Sequence, residues 1–435
     1  MTSKPLHITD IISRGVLVLL AVCLQIQVTL FASDDYLGLR INTADFLIPF
    51  AGLFIIGSLA FKNSVWPRFK KPFGYWAPIL LSTIIMLGIL NGYRLQDSWS
   101  HWAIINKGVG WFVLMAYFAM AGWFSTNKGE EIRDWFFKPF MLFLCFITLS
   151  EIIIRSLFIY SIIEPFAFFS AFKVPEMAGF MANRNAFAFI YLTGLIISGI
   201  FIVQKWPVSR VEKICFHLLW LTLPLFIILN ASRTSFLVLI PLVIFLIFKN
   251  WRLFMRSILP MIFIGSLFSP LVYQDATLRN FDNLSSITSL SDQQKRDEMY
   301  VGDQLRLEVA KDAFMLFKQN PLTGSGIGST YEYQKAQGDR KYIAIIDNTP
   351  LWLLTELGPF GLIAFAAVFF SMLRSLYKKS QNDESFDGVF AYSVIIALIG
   401  FGIFSLLHEI LYSRFFWVFL GLALAIPFSK KHQSE

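Results

Sequence analysis

Apolar residues run through this chain in blocks of about 20, broken by short polar turns. The blocks lie near 11–31, 44–61, 75–92, 105–125, 135–156, 185–204, 214–230, 232–249, 253–272, 349–375, 388–408 and 412–428. Each is long enough to cross a bilayer as a helix, so the pattern predicts about twelve spans. The first block lacks a small-residue cleavage site and reads as a retained span. Residues 157–184 form a mixed apolar and polar connection. One stretch breaks the rhythm. From Tyr273 to Asn348 the chain is polar, the only such segment of this length. Within it Leu305, Val309, Ala313 and Leu316 recur at helical spacing, with Asp303 as the expected N-cap and Pro321 as the stop. The prediction is an all-α polytopic membrane protein in three parts. Helices one to nine occupy 1–272, a long loop with a helical segment 273–348, and three further spans 349–435.

Composition agrees. Of the 435 residues 56% are hydrophobic and 15% charged, with a mean hydropathy of +0.60; soluble domains carry roughly 25% charge. The net charge of +8 does not point to nucleic acid, because the basic residues sit in alternate short loops. Lys62, Arg68, Lys70 and Lys71, then Lys128 and Arg133, Lys205, Arg210 and Lys213, Lys249 and Arg252, Lys378 and Lys379, and Lys430 and Lys431 share one side. The positive-inside rule makes that side cytoplasmic, with both termini. Tyr273–Asn348 then faces out, which in a bacterium is the periplasm. The three cysteines lie in apolar runs, and neither they nor the histidines show metal-ligand spacing, so no metal is expected.

Candidate chemistry gathers at the outer ends of spans. Arg184 and Asn185 open one span, Ser232 and Arg233 sit in a tight turn opening another, Arg306 lies on the loop helix, and Arg414 with His408 and Glu409 precedes the last span. A single arginine there commonly snorkels to headgroups. Several converging suit a diphosphate, because guanidinium donates two parallel hydrogen bonds to phosphate oxygens. Asp347, beside Asn348, fits a general base and also a helix N-cap ahead of Pro350. The run Gly324-Ser-Gly-Ile-Gly328 lacks the Lys-Ser/Thr ending of a phosphate-binding loop and reads as a flexible turn. A transporter or flippase is a competing reading, but those folds commonly show internal repeats, and none is visible here.

Four features together resemble a known family: Met181-Ala-Asn-Arg-Asn-Ala-Phe187; Ala231-Ser-Arg-Thr-Ser-Phe236; Arg306 followed by Asn320-Pro-Leu-Thr-Gly-Ser-Gly-Ile-Gly328; and Asp347-Asn348 followed by Glu356-Leu-Gly358 and Gly361. The pattern, over about residues 180–376, is similar to the O-antigen ligase and polymerase superfamily of bacterial envelope glycosyltransferases. The resemblance implies a GT-C-like, metal-independent, inverting transferase of the inner membrane that needs no cofactor. Its donor would be a glycan on undecaprenyl diphosphate. The acceptor would be a saccharide, lipid A core or a protein hydroxyl, and membrane lipids and a chain-length regulator would be further partners. Arg233, Arg306 and Asp347 take the catalytic positions; Arg184, Asn185, Ser232, Asn348 and Arg414 those that bind diphosphate or glycan. Ligases of the family commonly carry His-Asn where this chain has Asp347-Asn348, so the resemblance leans to a polymerase over a ligase.

Overall fold

The computed structural model describes residues 8–30, 39–61, 64–159, 180, 184–203, 209–230, 233–267, 292–337, 346–381 and 385–426. Thirteen α-helices are described: α1 Ile8–Cys23, α2 Leu47–Ala60, α3 Trp76–Gln96, α4 Gly110–Lys128, α5 Lys138–Ile159, α6 Arg184–Val203, α7 Arg210–Asn230, α8 Arg233–Leu267, α9 Asp292–Gln319, α10 Ser329–Ala336, α11 Thr349–Ser380, α12 Phe386–Ser405 and α13 Arg414–Leu424. Wider π-helical turns lead into α4 (Ala103–Val109) and α5 (Arg133–Phe137).

Six of the described helical stretches are long and apolar enough to cross a membrane: Thr43–Ala60, Trp76–Gln96, Ala103–Lys128, Arg133–Ile154, Thr349–Ser380 and Phe386–Ser405. Phe187–Val203, Met255–Ser266 and Arg414–Leu424 are shorter apolar helices. The protein is a multi-pass, mostly helical membrane protein. Its outer surface is apolar where lipid is the solvent: Phe50, Leu53 and Ile56 on α2 and Phe360, Ile363 and Phe370 on α11 all point outward. The interior is aromatic. Phe137, Phe140, Phe386, Phe390 and Phe419 interlock, mainly edge to face.

Three local expectations change. Arg233–Leu267 is one continuous helix, α8, across the break expected between blocks 232–249 and 253–272, because Phe-Lys-Asn-Trp-Arg at that point contains no glycine or proline to break it. The loop helix begins at Asp292, so Asp303 lies inside it and is not its N-cap; the end before Pro321 is as predicted. The first block stops being helical at Cys23, and Gln27–Leu30 pairs antiparallel with Leu39–Asn42, Gln27 opposite Asn42, as a small sheet.

The bundle has two chemically different ends. At one, the 68–70 segment, the end of α11 and the end of α13 are tied together. Lys70 N–H donates to Leu424 O (3.0 Å), and Lys379 Nζ to Ala423 O (2.9 Å) and Ala425 O (2.8 Å). At the other, the start of α11 meets the end of α3, the turn into α4, α9, α10 and the 406–413 turn.

What joins these is the glycine run. Helix α11 is broken at Gly358 (φ 70, ψ −177), next to Pro359. Proline has no N–H and therefore leaves Thr355 O without its helical donor. The 324–328 loop supplies replacements: Ser325 N–H donates to Thr355 O (2.8 Å) and Gly326 N–H to Glu356 O (3.0 Å). On its other side Ile327 N–H donates to Gly88 O of α3 (2.9 Å). A Cβ on Gly326 would lie 2.2 Å from Gly92 Cα, and one on Gly324 would lie 2.5 Å from Gly358 N. Both glycines also have positive φ (85° and 71°). The run is thus a buried wedge between α3 and α11, not a flexible turn.

Candidate active site

The site is built on the first turn of α11. Asn348 caps that helix, its Oδ1 accepting Leu351 N–H (2.7 Å), with Pro350 in the first turn. Asp347 is therefore not the cap, and its carboxylate points elsewhere. Arg306 Nε of α9 donates to Asp347 Oδ2 at 3.0 Å. The pair is open to solvent, with 52% of the Arg306 and 36% of the Asp347 side chain exposed. The two residues are 41 positions apart in sequence; the wedge brings them together by holding the end of α9 against α11.

The same turn reaches the 406–413 segment. Asn348 Nδ2 donates to Leu406 O (2.7 Å) and Thr349 Oγ1 to His408 O (3.1 Å). His408 Nε2 in turn lies 2.9 Å from Thr234 Oγ1. Thr234 follows Arg233, the first residue of α8. Two hydrogen bonds through His408 thus link the start of α8 to the head of α11. Arg184 opens α6 in the same way. The side chains of Arg184, Asn185 and Arg233, and all of Ser232, lie outside the described residues. Arg414 is at this end too, but its Nε binds Asp45 Oδ1 (2.8 Å), which also accepts the Tyr117 hydroxyl (2.8 Å). That pair braces α13 against the 43–46 turn ahead of α2 and against α4.

Beneath the open pair lies a closed one that sequence reading missed. Lys107, in the π-helical turn, pairs with Glu409; only 5% and 8% of their side chains are exposed. Trp102, Trp352 and Tyr412 surround the ammonium, with ring centres at 5.0, 4.6 and 4.7 Å. Glu356, one turn beyond Trp352, is 1% exposed. Its Oε2 accepts Trp352 Nε1 (2.7 Å) and Gly328 N–H (3.1 Å). A small cavity of about 10 Å³, roughly the space of one water, remains between them, lined by Lys107, Glu356, Glu409, Thr330, Ile346 and the rings of Trp102, Tyr331 and Trp352. The signal was present: a lysine early in the apolar run 105–125 is costly unless partnered. Its partner, some 300 residues away, was not legible.

Residues 217–366 match a family model described as O-antigen ligase. Over that segment the match supports the O-antigen ligase and polymerase superfamily. The matched segment is about a third of the chain. Comparison with curated proteins gives no match. Within the ligase-family segment fall Arg233, Arg306, the 324–328 wedge, Asp347 and the Gly358 break. Lys107, His408 and Glu409 fall outside it, so the family segment supplies the open pair and flanking helices supply much of the closed cluster.

Proposed function

We propose that this protein is an O-antigen or surface-polysaccharide polymerase. It takes a glycan from undecaprenyl diphosphate and joins it to an acceptor sugar hydroxyl at the periplasmic face of a bacterial inner membrane, with both termini cytoplasmic. The family match over residues 217–366 supports a ligase- or polymerase-type transferase in general; the Asp347-Asn348 pair carries the choice of polymerase. The single observation behind the mechanism is the exposed Arg306–Asp347 pair at the head of α11, linked through His408 to the residue after Arg233.

In this reading the diphosphate takes Asp347's place on Arg306, with Arg233 as the second guanidinium and Arg184, Asn185, Ser232 and Asn348 around the glycan. Asp347, released, accepts the proton of the acceptor hydroxyl as its oxygen attacks the anomeric carbon. The bond from that carbon to the diphosphate oxygen breaks, and the electron pair leaves with the diphosphate, where the arginines neutralise the growing charge. Attack opposite the leaving group inverts the anomeric centre. No step in this scheme uses a metal. Arg414, held by Asp45, acts in it as a brace.

The test is a deletion strain complemented with wild type, Arg233→Ala, Arg306→Ala or Asp347→Asn, with lipid-linked and surface glycans profiled together. A polymerase defect leaves single repeat units attached at the surface. A ligase defect leaves long glycan on the lipid carrier and none attached, and would reassign the enzyme. Wild-type polymer from Arg306→Ala would remove the clamp.

A further inference from the structure

Two rulers place the wedge in depth. Along α3, Gly88 and Gly92 lie about 18 and 24 Å from Trp76 at the basic end, inside a hydrocarbon core of about 30 Å. Along α11, twenty residues back from Lys378 reach Gly358, again about 30 Å. Both put the 324–328 loop at or just below the outer edge of the core. The stacked, partly exposed Tyr93 and Trp99 (4.3 Å) mark an interfacial belt at the end of α3. Helix α9 ends at Gln319, five residues before Gly324, and packs on α11 where Thr355 Oγ1 donates to Ala313 O (3.3 Å). Its last turns therefore sit at headgroup depth.

From Arg306 onward α9 has one face turned to the protein, with Val309, Asp312, Ala313 and Leu316 buried. The opposite face is not that of a solvated helix. Leu307 (57% exposed), Phe314 (51%) and Leu322 just past the end (68%) alternate with exposed Lys311 and Lys318. Lys318 Nζ lies 4.7 Å from the Phe314 ring centre. Apolar groups with lysines that can extend past them form the pattern of a helix lying in a membrane interface. Glu308 and Gln319 occupy a separate flank.

We infer that α9 lies on the outer leaflet, with Leu307, Phe314 and Leu322 seated in the acyl–headgroup boundary and Lys311 and Lys318 reaching lipid phosphates. The occupant is the bilayer that the chain already spans. This goes beyond the proposed reaction: it sets the height of Arg306 at the level where lipid-borne phosphates reside, whichever transferase the protein is.

The full-length protein tests this in nanodiscs of phosphatidylethanolamine and phosphatidylglycerol. Cys23, Cys145 and Cys215 are replaced by Ala, and single nitroxides are placed at 307, 314 and 322, with 308 and 319 as controls. Collision with oxygen, which concentrates in lipid, is compared with collision with a water-soluble nickel chelate. Labels at 307, 314 and 322 should shift toward oxygen relative to the controls. Nickel-dominated collision at 307 and 314 overturns the inference, since the helix then stands away from lipid. So does protection from both reagents together with a two-copy mass, which assigns the face to a second copy of this chain. A thermal melt of each labelled protein confirms that folding is retained.

Discussion

The head of α11 carries two ion pairs that differ in almost every physical respect. Arg306–Asp347 is exposed and joins α9 to the chain just before α11. Lys107–Glu409 is sealed among three aromatic rings, with the buried Glu356 nearby. An exposed pair contributes about 0–1 kcal/mol and is easily exchanged for another partner. A buried pair adds little net stability over apolar residues, yet removing one partner strands the other charge. The open pair is thus suited to being displaced by a substrate, and the closed one to holding four chain segments in a single arrangement below it.

The contrast is broken most severely at the wedge. Gly326→Ala forces a Cβ to within 2.2 Å of Gly92 Cα at φ +85. A loss on the order of 4 kcal/mol or more is expected, read as failure to recover folded protein from membranes. Lys107→Met comes next, at about 3–5 kcal/mol, because Glu409 and Glu356 lose their counter-charge. Adding Glu409→Leu should restore much of that stability in a thermal melt; if the double variant melts no higher, the pair is not what costs stability. Asn348→Ala should cost about 1 kcal/mol through the lost cap, measurable as a small shift in the same melt. Smallest of all, Arg306→Ala should change stability by less than about 1 kcal/mol. For activity the order reverses. Arg306→Ala should abolish polymer while the protein still melts normally, and Arg306→Lys should also be impaired because ammonium lacks the two-pronged geometry. Asp347→Asn should lose activity without losing the helix start, since Asn348 is the cap; full activity in that variant would remove the base.

Much of this protein was legible along the chain. Runs of about 20 apolar residues can be satisfied in lipid only by helices that close their own backbone hydrogen bonds, so a helical membrane protein followed from sequence alone. The helical spacing on the loop, its stop at Pro321, and Arg306 and Asp347 as the residues of interest were equally local. Helix boundaries were less so. Nothing local forbids a helix from starting at Asp292, and nothing breaks α8 near Asn250, so spacing by itself placed turns where the backbone continues.

Tertiary structure alone decided the rest. A glycine run looks the same in sequence whether it swings freely or fills a slot; only the bare backbones of Gly88 and Gly92 and the donor-less Thr355 carbonyl left by Pro359 show which. Lys107 reads as an isolated charge until Glu409 meets it across the bundle. The residues of the open pair, 41 positions apart, become partners only because the wedge fixes where α9 ends. Periodicity reports what one segment can bury, whereas the identity of what it is buried against depends on chain segments remote in sequence, and at this site those remote contacts set the geometry.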